Sequence, residues 1–321
     1  RWFRPLATAA GALALVDDCA TLTPPPGCDL VLKTDAVAAR IHFFPEDDWG
    51  LVAKKALRVN LSDLAAKGAT PLGYLLTLAL PLDWREEDVA RFAAGLAEDQ
   101  AAFGLSLLGG DTIRSPDGLI VSITVFGAVP TGRMVRRAAA RPGDLLFVTG
   151  TLGDAALGLI VRTTPDRDRR WGLAEAESRE LVGRYLLPEP RLALAPAVLA
   201  HAGAAMDLSD GLGLDLARMC RGSGVGAEVR VGDLPLSSGA ARALAAEPAL
   251  IETILGGGDD YEILAAVPPE RAPAFVAAAA AAGVPVTEIG RATEAGEGTP
   301  LRFLDADGRL LPLAGVGFRH F

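Results

Sequence analysis

The sequence predicts a mixed α/β (α+β) protein built from two domains. The chain has 321 residues, more than one ordinary compact core requires. Short apolar runs typical of strands alternate with longer segments of helical periodicity in both halves. An Arg- and Ala-rich stretch at 135–144 interrupts this alternation and ends in a Pro-Gly turn. We therefore predict an N-terminal domain over residues 1–137 and a C-terminal domain over residues 138–321.

The N-terminal half is predicted to form a mixed sheet with two helices. Strands are predicted at 30–34, 73–80 and 119–129, and helices at 51–67 and at about 86–103. Gly68 ends the first helix, because glycine readily adopts the left-handed conformation that follows a helix. Pro81 closes the second strand, since proline lacks the N–H that would continue the ladder.

The C-terminal half repeats a strand, a glycine turn and a helix. Strands are predicted at 145–149, 204–208 and 262–267, with helices after the glycine turns at 150–153 and 209–211. The second of these helices is predicted to end near Gly222, and an Ala-rich helix and short strands around a turn at 305–308 complete the chain. The segment 164–170 is dense in Asp and Arg without periodicity, which predicts a solvated loop.

Composition excludes several classes of protein. Half of the residues are hydrophobic and 22% are charged, which indicates folded cores rather than extended disorder. A net charge of -9 argues against a nucleic-acid partner, because such proteins need a basic surface to bind phosphates. No apolar run reaches the roughly 18 to 20 residues that cross a bilayer, and Asp17 and Asp18 follow the N-terminal apolar residues where a signal peptide would have its cleavage site. We predict a cytoplasmic protein without membrane partners.

Cysteine and histidine usage disfavours disulfide and zinc chemistry. The three cysteines are odd in number and form no CxxC pair, so we expect reduced and mostly buried thiols. The three histidines form no HExxH motif, which disfavours a zinc hydrolase.

Aspartates recur where predicted strands and helices meet. They are Asp17, Asp18, Asp35, Asp63, Asp111, Asp207, Asp210, Asp259 and Asp260. Several lie beside glycine or a hydroxyl residue, where α/β proteins place phosphate ligands. Carboxylates that converge without matching Lys or Arg would repel a phosphate, and Mg²⁺ resolves that repulsion because it binds carboxylate and phosphate oxygens together.

Several of these aspartates also have a simpler interpretation. Asp63 can pair with Lys67 one helical turn later, although Asn60 shares its face beside bulky leucines. Ser209 or Asp210 can cap the following helix, but capping leaves Asp207 unexplained.

Two further aspartates have local alternatives. Asp35 can start a turn; in a strand, however, it shares its face with Lys33 while Thr34 opposes both. The paired Asp17 and Asp18 can be ordinary loop acids.

Absent motifs narrow the enzyme class further. The chain lacks the GxxxxGK[ST] motif of P-loop kinases and the HRD and DFG motifs of protein kinases. It also lacks the GxSxG nucleophile elbow and the GxGxxG dinucleotide turn.

Several segments together resemble the ATP-dependent thiamine-monophosphate kinases, which share a superfamily with aminoimidazole ribonucleotide and selenophosphate synthetases. The segments are DDCA at 17–20, KTD at 33–35, HF at 42–43, VNLSDLAAKGA at 59–69, LGGDT at 108–112, RPGD at 141–144, TGTLGD at 149–154, MDLSDGL at 206–212 and GFRHF at 317–321. The resemblance runs from end to end of the chain, and the NLSDLAA segment and the aromatic-x-His-Phe ending are typical of the thiamine-phosphate branch.

The resemblance implies an N-terminal domain that dimerises through its sheet, a C-terminal α/β domain and ATP bound between them. The implied Mg²⁺ ligands are Asp18, Thr34, Asp35, Asp63, Asp111, Asp207 and Asp210, of which Asp35, Asp63 and Asp210 are the implied catalytic residues. The implied ATP-binding residues are Gly110, Asp111, Arg137 and Ser209. The implied thiamine-phosphate pocket contains His42, Asp259 and Phe318, with Phe318 stacking on a substrate ring.

This chain departs from the family pattern at three positions. Asp259 stands where the family usually has Glu, Phe318 stands where Trp or Tyr is also familiar, and Cys19 replaces a small residue. The first two departures concern the contact with the substrate rather than the reaction.

The predicted reaction is direct in-line transfer of the ATP γ-phosphoryl group to thiamine monophosphate, helped by Mg²⁺. The acceptor phosphate is already ionised at neutral pH and needs no strong general base. Two alternatives stay open: a selenophosphate synthetase-like enzyme, for which Cys19 would be the reactive thiol, and a nucleotide-binding protein without catalysis.

Overall fold

The computed structural model describes residues 1–296, 301–305 and 307–311 and divides into two compact units. The first unit contains Arg1–Leu64 and Ala69–Met134, and the second contains Ala65–Gly68 and the residues from Val135 onward. Each unit has its own β-sheet. The mixed α/β class and the two-domain organisation predicted from the sequence are confirmed.

The first unit is a four-stranded sheet with two long helices. Its elements are β1 (Cys28–Ala38), α1 (Trp49–Ala66), β2 (Thr70–Leu80), α2 (Glu86–Phe103), β3 (Ser106–Arg114) and β4 (Ile120–Pro130). The strand order is β1-β4-β2-β3. Strand β4 is antiparallel to both β1 and β2, whereas β2 and β3 are parallel.

The core of the first unit is built from one face of each strand and one stripe of each helix. Leu57, Leu61 and Phe92 are fully buried on the helices, and Ile123 is fully buried on β4. Tyr74 on β2 is also fully buried. Buried and more exposed positions alternate along β1 and β4, so one face of the sheet packs into this core and the other face is partly exposed.

The second unit is a six-stranded sheet with eight helices in the described residues. Its elements are β5 (Leu145–Thr149), α3 (Asp154–Thr163), α4 (Arg167–Arg170), α5 (Glu175–Leu186), α6 (Ala195–His201), β6 (Ala204–Asp207), α7 (Leu212–Ser223), β7 (Val225–Arg230), α8 (Ser238–Ala246), α9 (Leu250–Gly256), β8 (Ile263–Val267), α10 (Ala272–Ala281), β9 (Val286–Glu294) and β10 (Leu301–Leu304). The strand order is β10-β7-β9-β5-β8-β6, with only β10 and β7 parallel among these neighbours.

Both faces of the central strands of this sheet are buried. Leu146, Val148 and Leu264 belong to one hydrophobic cluster, together with residues of α3, α5, α7, α8 and α9. Phe147 and Ala265 alternate with them and belong to a second cluster, with residues of α6 and α10. Strands buried on both sides read as continuous apolar runs, which is the pattern that the sequence shows at β5 and β8.

The sequence-based boundaries agree closely at several elements and fail at others. Helix α2 and strand β5 have the predicted bounds. Strand β3 was not predicted, because Gly109 and Gly110 break its apolar pattern and its last five residues are exposed. A register shift opposite these glycines, between Tyr74 and Leu75, adds to the irregularity.

Two smaller expectations need correction. The segment 164–170 is only partly a loop, since Arg167–Arg170 forms the single turn α4. Glu247 anchors this turn by accepting hydrogen bonds from Arg167 Nη1 and from Trp171 Nε1, each at 3.0 Å. One turn is too short to produce periodicity in a sequence. Of the thiols, Cys220 alone is buried, whereas Cys28 is half-buried and Cys19 is exposed.

Candidate active site

Asp35 and Asp63 are joined by a lysine. Lys33 and Asp35 lie two residues apart on β1, and Lys33 Nζ is 3.2 Å from Asp35 Oδ2 and 2.8 Å from Asp63 Oδ2 on α1. The predicted shared face of Lys33 and Asp35 is confirmed. The alternative pairing of Asp63 with Lys67 is wrong, because Lys67 Nζ donates to the Ala205 carbonyl at 2.8 Å. The expectation of carboxylates without a matching cation is also wrong here.

Asn60 on α1 holds the backbone of Asp35 at this ion cluster. Asn60 is fully buried; its Oδ1 accepts from the Asp35 N–H at 2.8 Å and its Nδ2 donates to the Ala56 carbonyl at 2.9 Å. Burial works to lower the pKa of Lys33, but the charges and hydrogen bonds of Asp63 and Asp35 outweigh it and raise that pKa. Burial also raises the pKa of Asp35, while Lys33 opposes that shift. The ammonium is therefore a firmly held cation between two carboxylates.

Thr34 faces away from this cluster. Its hydroxyl donates to the Ile123 carbonyl at 3.2 Å and accepts from Thr124 Oγ1 at 3.0 Å across the β1–β4 ladder. The structure therefore does not bring the Thr34 hydroxyl to the carboxylate of Asp35.

His42 lies in the turn after β1. The Ala38 N–H donates to His42 Nδ1 at 3.1 Å, which makes Nε2 the protonated nitrogen of the neutral ring. His42 also acts to lower the pKa of Asp35, as the smallest of the named causes, so the ring belongs to the same electrostatic environment.

A cavity of about 640 Å³ brings two distant motifs of the first unit together. Asp17 and Asp18 line it, as does the glycine-rich part of β3. Asp111 Oδ1 accepts from the Thr112 N–H at 2.8 Å. A Cβ on Gly110 would lie 1.8 Å from the Leu76 carbonyl oxygen, so this backbone position tolerates no side chain. Asp18, Gly110 and Asp111 therefore share one cavity.

In the second unit, strand β6 ends at the half-exposed Ser209–Asp210 corner. Asp207 is the last residue of β6 and is 7% exposed. Gly211 precedes α7 without a side-chain cap, so the alternative in which Ser209 or Asp210 caps the helix is wrong. Instead Asp215, in the first turn of α7, accepts from the N–H groups of Ser209 at 3.0 Å and Asp210 at 2.9 Å.

Arg218 completes this corner. Its Nη1 is 2.8 Å from Asp215 Oδ1 and also pairs with Asp210 Oδ2. Burial raises the pKa of Asp215, while the Asp210 N–H opposes that shift. Asp210, like Asp35 and Asp63, therefore faces a cation from its own unit.

For the other predicted site residues of the second unit, the structure gives backbone contacts and exposure. The Asp259 N–H donates to the Ser209 carbonyl at 3.0 Å, so the backbone of Asp259 contacts the Ser209–Asp210 corner. Arg137 is exposed, and the carbonyl of its neighbour Arg136 accepts from the Ala205 N–H of β6 at 3.4 Å. Phe318 lies outside the described residues.

Comparison with known proteins places both units in one family. Residues 16–129 match the family described as AIR synthase related protein, N-terminal domain, and residues 141–301 match its C-terminal domain. The chain is 45% identical to the thiamine-monophosphate kinase of Caulobacter vibrioides over 96% of this chain and 86% of that protein. It is 39% identical to the thiamine-monophosphate kinase of Escherichia coli strain K12, over 96% of this chain and 92% of that protein.

The chain belongs to the thiamine-monophosphate kinase family. A crystal structure of the thiamine-monophosphate kinase from Stenotrophomonas maltophilia K279a superposes with a TM-score of 0.82 at 34% identity, covering 92% of this chain and 91% of that one. AaThiL complexed with AMPPCP and TMP superposes with a TM-score of 0.78 at 31% identity, covering 95% of this chain and 91% of that one. Hydrogenase maturation protein HypE, at 19% identity, shares the fold alone.

The side chains of this thiamine-monophosphate kinase family member supply only part of a Mg²⁺ ligand set. In the part of the chain that the structure describes, no group of three or more His, Cys, Asp or Glu side chains is arranged to hold a metal ion. Mg²⁺ usually takes one or two carboxylates and completes its shell with water and substrate phosphates. Asp18 and Asp111, which both line the cavity, are carboxylates of the kind that Mg²⁺ binds.

Motif spacing did not predict the ion pairs that Lys33 and Arg218 make with the site aspartates, nor the role of Asp215 beside Asp210. Asp215 and Arg218 lie one turn apart on α7, and the only signal for them was their position in the first turns of a helix after SDG. The contact of Lys33 with both Asp35 and Asp63 had a partial signal in the sequence, because Lys33 and Asp35 share one face of a strand.

Among the residues that the structure describes, no helix is long and apolar enough to cross a membrane.

Replacing Asp260 by Asn is expected to flatten the pH dependence of stability. Burial raises the pKa of Asp260 well above its usual value; the Gly153 N–H, at 2.8 Å, and Arg184 oppose the shift, and the charges of Asp154 and Glu262 add to it. The folded state therefore holds this proton more tightly than the unfolded state, so stability falls as pH rises from about 4 towards the folded pKa.

The test is the unfolding temperature of both proteins between about pH 5 and about pH 8. The Asn side chain stays neutral and keeps an oxygen for the Gly153 N–H, so the variant should lose less stability than the wild type over this range. An equal loss in both proteins would show that Asp260 is not the group responsible.

Proposed function

We propose that this chain transfers the γ-phosphoryl group of ATP to thiamine monophosphate, giving thiamine diphosphate and ADP. The relationship to thiamine-monophosphate kinases over 96% of the chain carries the proposal. A relative has been solved with AMPPCP, an ATP analogue, and TMP, which are the two reactants in kind. The relatives do not favour the selenophosphate synthetase-like alternative or a catalytically inactive protein.

The reaction is a single in-line displacement. An oxygen of the acceptor phosphate forms a bond to the γ-phosphorus as the bond to the β,γ-bridging oxygen breaks, and ADP leaves with that electron pair. Bound Mg²⁺ supplies positive charge that offsets the repulsion between the two anionic reactants. Asp18 and Asp111 are the residues that we propose to hold it in the cavity of the first unit, with Gly110 allowing a close backbone approach to phosphate.

Three further carboxylates are proposed to act together with a neighbouring cation. The ammonium of Lys33 lies 3.2 Å from Asp35 and 2.8 Å from Asp63, and its positive charge offsets the repulsion between the two carboxylates. Asp210 is paired with Arg218. These fixed cations orient the carboxylates before any ligand arrives, which reduces the reorganisation needed during transfer. Asp207 and Thr34 remain proposed ligands, with Thr34 limited to its backbone oxygen by the direction of its hydroxyl.

The substrate-contacting residues are also proposals. His42 presents the Nε2 side of its ring, while Nδ1 is occupied by the Ala38 N–H. Asp259 offers a carboxylate suited to the positively charged thiazolium ring of thiamine. Ser209 and Arg137 are the proposed contacts of the ATP phosphates in the second unit.

A homodimer formed through the first sheet is proposed from the partly exposed face of that sheet. Leu32, Leu75, Ile113 and Ile120 share that face by strand register and are 62%, 38%, 50% and 39% exposed. Large apolar side chains grouped on one open sheet face are typical of a subunit interface. A monomeric mass by sedimentation at micromolar concentration would contradict this proposal.

We place the enzyme in the cytoplasm, where ATP is available and thiols such as those of the three free cysteines stay reduced.

The proposed activity predicts ADP release that needs both thiamine monophosphate and Mg²⁺. We expect ADP formation to rise only when thiamine monophosphate is the acceptor and to fall to background with EDTA. A coupled assay with thiamine monophosphate and selenide as rival acceptors measures this. ATP binding without ADP from either acceptor would indicate a protein that binds nucleotide without catalysis.

A further inference from the structure

The segment 257–262 holds an unfavourable backbone beside the Ser209–Asp210 corner. Asp259 has a φ of 71° and Tyr261 a φ of 50°, both in the left-handed region that residues with a side chain rarely adopt. Such conformations persist only where the surrounding structure holds them. Contacts with the rest of the unit therefore hold this segment in place.

The strongest contacts converge on Glu262, which is fully buried. Its Oε2 accepts from Thr149 Oγ1 at 2.6 Å and from Arg191 Nε at 2.7 Å. Its Oε1 accepts from Arg191 Nη2 at 2.6 Å and also pairs with Arg184. The Thr149 hydroxyl oxygen in turn accepts from the Ile263 N–H at 2.7 Å. A bidentate arginine, a second arginine and a hydroxyl satisfy this buried carboxylate.

The main chain transmits that anchor to the candidate active site. The Glu262 carbonyl accepts from the Leu208 N–H at 2.8 Å, and the Tyr261 N–H donates to the Leu208 carbonyl at 2.8 Å. One residue further on, the Asp259 N–H donates to the Ser209 carbonyl at 3.0 Å. These three bonds hold Asp259 beside the end of β6, and Glu262 takes part in the first of them.

The nucleotide side of this corner has a separate anchor. Asp215 accepts from the N–H groups of both Ser209 and Asp210, and Arg218 holds Asp215. None of these bonds involves Glu262. Loosening Glu262 should therefore displace Asp259 more than Ser209.

We propose that Glu262 is a positioning residue for the acceptor pocket, holding Asp259 in place through the buried Arg184–Glu262–Arg191 cluster. This inference rests on the proposed function of Asp259 in binding thiamine monophosphate. Glu262 touches neither reactant; it sets the backbone from which the Asp259 carboxylate projects.

The first test compares Glu262→Gln with Glu177→Gln. Glu177 is a second buried carboxylate of the same unit; it accepts from the Ala174 N–H at 2.8 Å and from Arg242 Nε at 2.9 Å. We expect Glu262→Gln to raise KM for thiamine monophosphate about 10-fold or more, with KM for ATP changed by less than about 3-fold. Glu177→Gln should leave both KM values within about 2-fold, because its partners do not contact segment 257–262.

A milder variant covers the case in which Glu262→Gln does not fold. Arg191→Lys keeps the positive charge but loses the two-pronged contact with Glu262, so the same KM split should appear with a smaller amplitude. In both variants, amide hydrogen exchange of residues 257–263 should quicken relative to the wild type and to Glu177→Gln. Exchange needs no turnover, so it judges the anchor independently of activity.

A double-mutant cycle tests whether Glu262 acts through Asp259. If Glu262 acts through Asp259, then adding Glu262→Gln to Asp259→Asn should raise KM for thiamine monophosphate less than about 2-fold further. Unchanged exchange in a folded variant, equal rises in both KM values, or a full additional effect in the double variant would overturn the inference. Absence of any thiamine-monophosphate-dependent ADP release by the wild type would instead refute the proposed function, and exchange would still decide the role of Glu262.

Discussion

Replacing Asp35 by Asn is expected to lower kcat for phosphoryl transfer by at least about 10²-fold, and Asp210→Asn should do the same. Each change removes a negative charge from a pair held in place by a cation, Lys33 in one case and Arg218 in the other. The fold should survive in both. The Asp35 N–H keeps its bond to Asn60, and Arg218 keeps its bond to Asp215 at 2.8 Å. Steady-state ADP release and thermal unfolding measure the two effects separately.

Asp29→Asn is the matched control for the first variant. Asp29 lies on the same strand, β1, and an Asn there keeps an oxygen for the Gly132 N–H that Asp29 Oδ2 now accepts at 2.8 Å. Its kcat should stay within about 2-fold of the wild type, because Asp29 is exposed and belongs to no proposed site. Near-normal turnover in both Asp35→Asn and Asp210→Asn would contradict the proposed roles of these carboxylates.

Gly110→Ala is expected to destabilise the first unit by about 3 kcal/mol or more and to abolish activity. The added Cβ would lie 1.8 Å from the Leu76 carbonyl oxygen and 2.7 Å from the Leu76 carbonyl carbon. These are backbone atoms of the neighbouring strand β2, so no side-chain rotation relieves the overlap and the β2–β3 ladder must separate. A loss of this size corresponds to a fall of roughly 6–12 °C in unfolding temperature.

The adjacent Gly109 provides the control. A Cβ there would meet only the Leu75 Cδ2 atom at 3.4 Å, an ordinary van der Waals contact with a flexible side chain. Gly109→Ala should therefore unfold within about 2 °C of the wild type. If both variants unfold alike, close packing of β3 on β2 does not explain the glycine pair.

The candidate site was predictable where the chain carries motifs of a known family. Asp18 and Asp111 are separated by more than 90 positions, yet the resemblance implied both, and both line one cavity. The direction of Thr34 against Asp35 followed from the two-residue repeat of a strand. Asp215 and Glu262 could not be chosen in this way, because a buried carboxylate within a helix or at a strand start looks like any other acid until its partners are known.

Periodicity was sufficient for the two-unit α/β architecture and for the bounds of α2 and β5. The kinase family followed from the resemblance of several segments to that family, and the relatives confirm it. The pairing of charges required the packed chain. Asp35, two residues away, is the one acid within three residues of Lys33 in the sequence. The contact of Lys33 with Asp63 exists because α1 packs on the face of β1 from which Lys33 projects. A lysine or arginine side chain has several rotatable bonds, so its partner is set by which elements lie within its reach, and that distance is a property of the fold.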